Sequence, residues 1–198
     1  MSSTNRGATR REHDAYLTPP EVADACVGTL PSLAGAWVVE PSVGGWAFAD
    51  AIGDRQPFTL TTVDVDPARS ADIHADWCDV AREDLRRAAD WPGVPEAPEF
   101  IVGNPPFSEA EAHVRHALDI VADDGVVAFL LRAAFMEGGK RAAFWSSAGA
   151  CLESVHILAE RPNFTGGGTD SAAYGWFVWR KGYAGPARVV PGWSWRGR

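Results

Sequence analysis

Apolar positions along the chain fall into two periods. Val126 to Leu131 is an unbroken apolar run, the kind a strand buried on both faces requires. Just before it, Ala110, Val114, Ala117, Leu118 and Val121 recur at the spacing of one helical face. The rest of the chain alternates between such segments. Ala36–Glu40, Phe58–Asp64, Glu99–Val102, Leu152–Ala159 and Ala173–Arg180 read as strands. A helix is predicted from Pro19 to about Leu30, with Thr18 as N-cap, Glu21 as capping-box partner and Pro31 as its stop. A short helix follows Gly44-Gly45 and runs to about Ile52. A helix or turn begins after Pro67, and Val80–Ala89 reads as a charged surface helix. Ser108 is expected to cap the helix that carries Ala110 to Val121. Arg141–Trp145 falls in another helix, after Gly138-Gly139. Trp91–Pro98, with three prolines, is a loop, and Arg161–Thr169 is a glycine-rich one.

Strands that alternate with helices predict βαβ units, hence an α/β fold with a mostly parallel sheet and helices on both faces. The last two strands have no helix between them and are expected to form an antiparallel edge hairpin. Residues 1–15 are polar and read as a flexible N-terminal arm. Residues 16–182 then form one domain, and residues 183–198 a basic tail bearing Trp193 and Trp195.

Composition narrows this picture. At 198 residues the chain is long enough for one domain with a real core. No apolar run approaches the roughly 20 residues of a membrane span. Arg6, Arg10 and Arg11 are followed by no apolar block, so no secretory signal is expected. Cys26, Cys78 and Cys151 lie far apart, which disfavours both a disulfide framework and a zinc ribbon and fits a reducing cytoplasm. The net charge of −8 is unevenly spread: residues 21–130 hold twenty acids and six bases, whereas residues 171–198 hold five bases and no acid. An acidic middle argues against non-specific nucleic-acid binding by the whole chain.

Ligands of open α/β sheets bind at the carboxyl ends of strands, and the chemically distinctive residues fall there. Glu40-Pro41-Ser42-Val43-Gly44-Gly45 closes the first strand. Asp64-Val65-Asp66-Pro67 closes the second, and Asp76-Trp77 follows in the next connection. Asn104-Pro105-Pro106-Phe107 closes the third. An acid at a strand end is by itself often only a helix cap. Two consecutive prolines, however, exclude helix and stiffen the main chain between an amide and an aromatic ring.

This ordered set resembles the S-adenosyl-L-methionine-dependent N6-adenine methyltransferases, in particular the gamma-class DNA enzymes and their small, phage-type members. The likeness spans residues 16–180. It rests on Tyr16-Leu17-Thr18-Pro19-Pro20, Glu40 to Gly44, Asp64, Asp76-Trp77, the Asn104–Phe107 motif and Arg161-Pro162-Asn163-Phe164. It implies a Rossmann-like sheet of seven strands in a cytoplasmic protein of a bacterium or phage-infected cell. It also implies that Tyr16, Thr18, Pro19, Glu40, Pro41, Ser42, Gly44, Gly45, Asp64, Val65, Asp76, Trp77 and Asn104 bind the cofactor. Glu40 would balance the cationic methionine end, Asp64 would accept from the ribose hydroxyls, and Asp76 from the adenine amine, with Trp77 covering the ring. Thr18, at a helix N-terminus, would help hold the methionine carboxylate. The family's second glycine of the cofactor loop falls here at Trp46, and Gly45 is expected to supply its flexibility one position earlier.

In that reading Asn104, Pro105, Pro106 and Phe107 are catalytic. The lone pair of adenine's exocyclic amine is delocalised into the ring. Acceptors on the Asn104 side chain and the Pro105 main chain, fixed before substrate arrives, would localise it. The base must leave the duplex, with Phe107 stacking on it, Phe164 closing the other face and Arg161 assisting. No metal is required. The partners implied are DNA presenting a flipped adenine, and a recognition subunit or a second copy of the chain, since the length leaves no room for an added recognition domain. Specificity is then expected from Arg161–Thr169, Trp91–Pro98, the termini or that partner.

Three alternatives share some of these residues. Asn-Pro-Pro-Phe also occurs in RNA base methyltransferases (adenine-N6 or guanine-N2) and in protein-glutamine methyltransferases. Those enzymes carry an Asp-x-Gly-x-Gly-x-Gly loop rather than Glu-Pro-x-x-Gly. A non-catalytic cofactor- or nucleic-acid-binding subunit would account for Trp46. Cytosine-C5 chemistry needs an activated cysteine after proline, and none of the three cysteines follows one. His113 and His116 are three apart on a helix and read as a solvent-facing pair rather than as metal ligands.

Overall fold

The computed structural model describes residues 17–164 and 172–196. In chain order its elements are α1 (Pro20–Val27), β1 (Trp37–Glu40), α2 (Ala47–Gly53), β2 (Thr59–Asp64), β3 (Ile73–His74), α3 (Arg82–Ala89), β4 (Phe100–Gly103), α4 (Ala110–Ile120), β5 (Val126–Arg132), α5 (Ala142–Trp145), β6 (Leu152–Leu158), β7 (Tyr174–Arg180) and β8 (Arg188–Trp193). They build one sheet in the order β3-β2-β1-β4-β5-β7-β6-β8. From β3 to β5 every pairing is parallel. β7 runs antiparallel to both β5 and β6, and β8 is parallel to β6.

Strand alternation sends successive side chains to opposite faces. Trp37, Val39, Ile101, Val127, Phe129, Phe177 and Trp179 pack with Leu85, Val114, Ala117 and Phe144, so α3, α4 and α5 cover one face. Val38, Val102, Val126, Ala128, Trp176 and Val178 pack with Val22, Cys26, Phe48 and Ile52, so α1 and α2 cover the other. Both faces are therefore apolar, as continuous apolar strands demand.

The sheet has eight strands, not the seven expected. β3 is only two residues long. β8 lies in the segment read as a tail, where Pro191 and Gly192 hide a strand from pattern reading. Proline is tolerated there because β8 is an edge strand, where its missing N–H costs no ladder bond. The β6–β7 hairpin is present, but β8 rather than the hairpin forms that edge. Two caps also differ. Pro19 occupies the N-cap of α1, with no side-chain bond, and that helix ends at Val27. Glu109, not Ser108, precedes α4. No helix among the described residues is long and apolar enough to cross a membrane.

Candidate active site

The chain leaves β1 towards α2 and leaves β4 towards α4, on opposite faces. Such a reversal opens a crevice at the carboxyl ends of the two strands. A cavity of about 450 Å³ lies there, lined by the loops after β1, β2 and β4 and by the segment before α1. Of the expected cofactor residues, Thr18, Glu40, Pro41, Ser42, Gly44, Gly45, Asp64, Val65, Asp76, Trp77 and Asn104 all line it. Pro19 does not, and Tyr16 lies outside the described residues.

The loop after β1 is fixed by backbone bonds. The Val43 amide donates to the Val63 carbonyl at 3.1 Å and the Trp46 amide to Val43 at 3.0 Å. Gly44 turns with φ +51°, and its amide donates to Asp64 Oδ2 at 2.9 Å. Asp64 Oδ1 accepts the Asp66 amide at 2.9 Å. Each carboxylate oxygen has a second lone pair to offer a ligand. Gly45 lies close under the Leu17 side chain. It is not left-handed; instead a Cβ there would meet Leu17 Cδ2 at 2.9 Å. The left-handed residue is Trp46 itself, at φ +68°. Trp46 thus takes up the glycine-like conformation directly, and its side chain stays 38% exposed.

Glu40 is 1% exposed, and its Oε2 has no hydrogen-bond partner. Burial, and then the Asp64 carboxylate, hold its carboxyl well above the usual carboxylate range. Gly103 accommodates it: a Cβ there would sit 3.4 Å from Glu40 Cγ. Asp76 accepts the Cys78 amide at 2.9 Å and so caps the short turn that carries Trp77. The Trp77 indole lines the cavity yet is almost wholly buried, with Nε1 donating to the His113 carbonyl at 3.3 Å and its ring edge-on to His116.

Asn104 follows β4 directly. Its Nδ2 donates to Thr18 Oγ1 at 3.0 Å. Thr18 is thus tied to the Asn104–Phe107 turn rather than to the helix end. With the nitrogen end of the amide turned to Thr18, Oδ1 is the acceptor end on the other side. Pro105 and Pro106 stiffen the next two positions. Phe107 then lines the cavity and packs against Tyr174 (centroids 5.4 Å) and edge-on against Phe164 (6.2 Å). The Arg132 guanidinium lies 5.1 Å from its ring centroid. Phe107 and Phe164 therefore touch each other, with no base-sized gap between them. Arg161 is exposed and does not line the cavity, and residues 165–169 of its loop lie outside the described residues.

His113 also lines the cavity and is not solvent-facing. It is 3% exposed, and burial lowers its pKa to about 4. Nδ1 lies 3.2 Å from the Glu109 carbonyl, which only accepts, so Nδ1 carries the proton and Nε2 faces the Ser42 hydroxyl at 3.4 Å. The signal was in the spacing: position 113 falls between 110 and 117 on the apolar face of α4. His116 Nε2 lies 2.9 Å from the Val80 carbonyl. Asp66, Arg69 and Glu109 complete the charged lining, with Arg69 Nε 3.6 Å from Asp66 Oδ2. No cluster of three or more His, Cys, Asp or Glu suited to a metal occurs among the described residues. Burial raises the thiols of Cys26, Cys78 and Cys151, so none is an activated nucleophile.

Two bases just before the tail are engaged. Arg180 Nε pairs with Glu153 at 2.9 Å, and Lys181 Nζ donates to the Val121 carbonyl at 3.0 Å. Trp193 and Trp195 pack back onto the core of the α1–α2 face.

No family model matches this chain, and no curated protein matches it. Solved structures with the same fold are many. A class I S-adenosylmethionine-dependent methyltransferase of Listeria monocytogenes superposes with a TM-score of 0.64 at 11% identity, over 94% of this chain and 69% of that one. The methyltransferase subunit of a type I restriction-modification system of Streptococcus thermophilus gives 0.64 at 16% identity, over 89% of this chain and 47% of that one. DrdV, solved in complex with DNA, gives 0.65 at 15% identity, over 96% of this chain and 29% of that one. Two bacterial chains carrying the name hemolysin share the fold as well. The likeness is one of fold, and activity has to be argued from the site.

Proposed function

We propose that this chain transfers a methyl group from S-adenosyl-L-methionine to the N6 amine of adenine in DNA. One observation carries the reading. The Asn104–Phe107 turn, anchored by Thr18, stands between an acid-lined cavity and an aromatic cluster. Restriction-modification and DNA-bound proteins among the structures of like fold support DNA as the acceptor.

The cavity fits this cofactor on its own chemistry. Five carboxylates (Glu40, Asp64, Asp66, Asp76 and Glu109) face one guanidinium, Arg69, which suits a cationic ligand. The Gly44 turn brings backbone close to the cavity, and Asp64 presents charged acceptors for hydroxyls. Glu40 would hold the cationic methionine end and Asp76 the adenine amine, with Thr18, Pro41, Ser42, Gly45, Val65 and Trp77 shaping the walls. The cofactor supplies an electrophilic methyl group on a sulfonium. The chain's own task is the amine. Asn104 Oδ1 and the Pro105 carbonyl each accept one amino proton, which draws the nitrogen towards a tetrahedral form and localises its lone pair. Because the two prolines hold these acceptors in advance, little reorganisation is needed when the base arrives.

The test is transfer of isotope-labelled methyl to duplex DNA, single-stranded DNA and RNA, followed by digestion and mass spectrometry of the nucleosides. N6-methyldeoxyadenosine is expected. Label in a ribonucleoside would move the acceptor to RNA. No label in any pool, with bound cofactor, would leave a cofactor-binding subunit as the reading.

A further inference from the structure

Glu40 is in an unusual position for an acid. It is buried to 1% exposure at the end of a central strand, and its Oε2 has no hydrogen-bond partner, although it lines the ligand cavity. An ionised carboxylate in that place would be stranded without a counter-charge. The elements packed against it offer none; the Ala49 amide on α2 hydrogen-bonds the carboxyl and favours its charged form, but burial and Asp64 outweigh it. On β2 its titratable neighbour is Asp64, and on α2 it is Asp50; both oppose a charge on Glu40. β4 contributes uncharged Gly103 against its Cγ. Around the cavity, Asp66, Asp76 and Glu109 are further acids. Arg69 is committed to Asp66 at 3.6 Å, and His113 is neutral above about pH 4. A protonated carboxyl solves this problem while the cavity is empty. It ceases to be a solution once a cation with N–H donors enters.

We propose that Glu40 is a neutral acid in the empty cavity and gives up its proton to solvent when a cationic cofactor binds. This rests on the reading that the cavity takes S-adenosylmethionine. In balance, Glu40–COOH and the cation become Glu40–COO⁻ paired with that cation, plus one proton in solution. Cofactor affinity then rises with pH until the empty site itself ionises. Below that point it falls by up to about tenfold per pH unit.

The experiment is calorimetric titration of the whole chain with S-adenosylmethionine at pH 6.0, in three buffers of different ionisation enthalpy. At that pH the ligand's α-amino group is already protonated, so any proton released comes from the protein. A net release of protons to the buffer is expected. Glu40→Gln should release none and show a flat Kd between pH 5.5 and pH 7, below the range in which the ligand's own α-amino group titrates. In case that variant folds poorly, difference infrared spectroscopy of the wild type supplies an independent reading. A carboxylic-acid carbonyl band should disappear on cofactor addition. Tight binding with no proton released and no band lost would overturn the inference and leave the cofactor reading standing. No binding at any pH would overturn the cofactor reading and this inference with it.

Discussion

The two sides of the Asn104–Phe107 turn are built differently. On the cofactor side the walls stand apart around about 450 Å³, and two of the acids are held by backbone: Asp64 by the Gly44 and Asp66 amides, Asp76 by the Cys78 amide. On the target side the rings of Phe107, Phe164 and Tyr174 rest on one another, with Phe164–Tyr174 centroids 4.9 Å apart. Backbone-held carboxylates keep their geometry when a ligand leaves, because the chain itself fixes them. Rings packed edge to face or tilted can fill whatever space a ligand vacates, because apolar contact has little directionality. One side is therefore ready-made for a small, cationic ligand. The other has to part before a base can lie on Phe107.

The strongest way to break this comparison is at the turn itself. Asn104→Ala removes the amide that sits between the two sides. Loss of one preorganised acceptor should slow transfer by about 100- to 1,000-fold. Cofactor affinity by calorimetry should stay within a few fold, because Asp64, Asp76 and Glu40 are untouched. Unchanged turnover would remove Asn104 from the chemistry.

Next comes the rigidity of the cofactor side, read through His113. Its pKa is lowered from 6.5 to about 4 in the fold by burial. A depressed folded pKa gives stability that is present above pH 6.5 and is lost as pH falls through about 4. The full loss is on the order of 3 kcal/mol. Urea unfolding at pH 7 and pH 4 should show it, and His113→Gln should flatten that slope. Glu40 acts with the opposite sign. Its raised pKa costs the empty protein stability as pH climbs above the ordinary carboxylate range, so His113→Gln, which keeps Glu40, should lose stability with rising pH there, and Glu40→Gln should not.

Much of this was legible in the sequence because it is local. Period-2 and period-3.6 patterns located β1, β2, β4–β7 and the main helices, and motif order placed Glu40, Asp64 and Asn104 at strand ends and Asp76 in the connection after β2. What escaped depends on partners distant in the chain. Thr18 fits the pattern of an N-cap equally well, and only the fold brings it to Asn104, 86 positions away. His113 is polar by type, and its place on the apolar face of α4 shows as burial only where Ser42 and Trp77 meet it. β3 is too short for any period to show, and β8 is stabilised by β6 despite Pro191 rather than by its own propensity. Gly45 illustrates the same limit: its close neighbour is Leu17, which no local rule connects to it.

A smaller perturbation sharpens the link across the turn. Thr18→Val removes the acceptor that receives Asn104 Nδ2 while keeping the side chain's shape. A lost hydrogen bond of this kind is worth about 1 kcal/mol, so kcat should fall roughly fivefold. Thr18→Ser should restore it. If KM for the cofactor rises instead and kcat holds, Thr18 serves the cofactor side alone and does not position Asn104.

The smallest effect is expected where the sequence departs most visibly from the family it resembles. Trp46 adopts φ +68° and ψ −2° at the start of α2. A left-handed backbone costs a non-glycine residue roughly 1–2 kcal/mol, which Trp46→Gly would relieve. Glycine also frees the unfolded chain, by about 0.4–1 kcal/mol, and gives up the contacts of a partly covered indole. The changes oppose one another, so thermal stability should shift little. Gly44 and Asp64 already set the loop through the 2.9 Å bond between them, so cofactor affinity should also stay within about threefold. A gain of tenfold or more would mean that Trp46 holds the loop away from its ligand. The cofactor side would then need to reorganise just as the aromatic side does, and the contrast between the two walls would collapse.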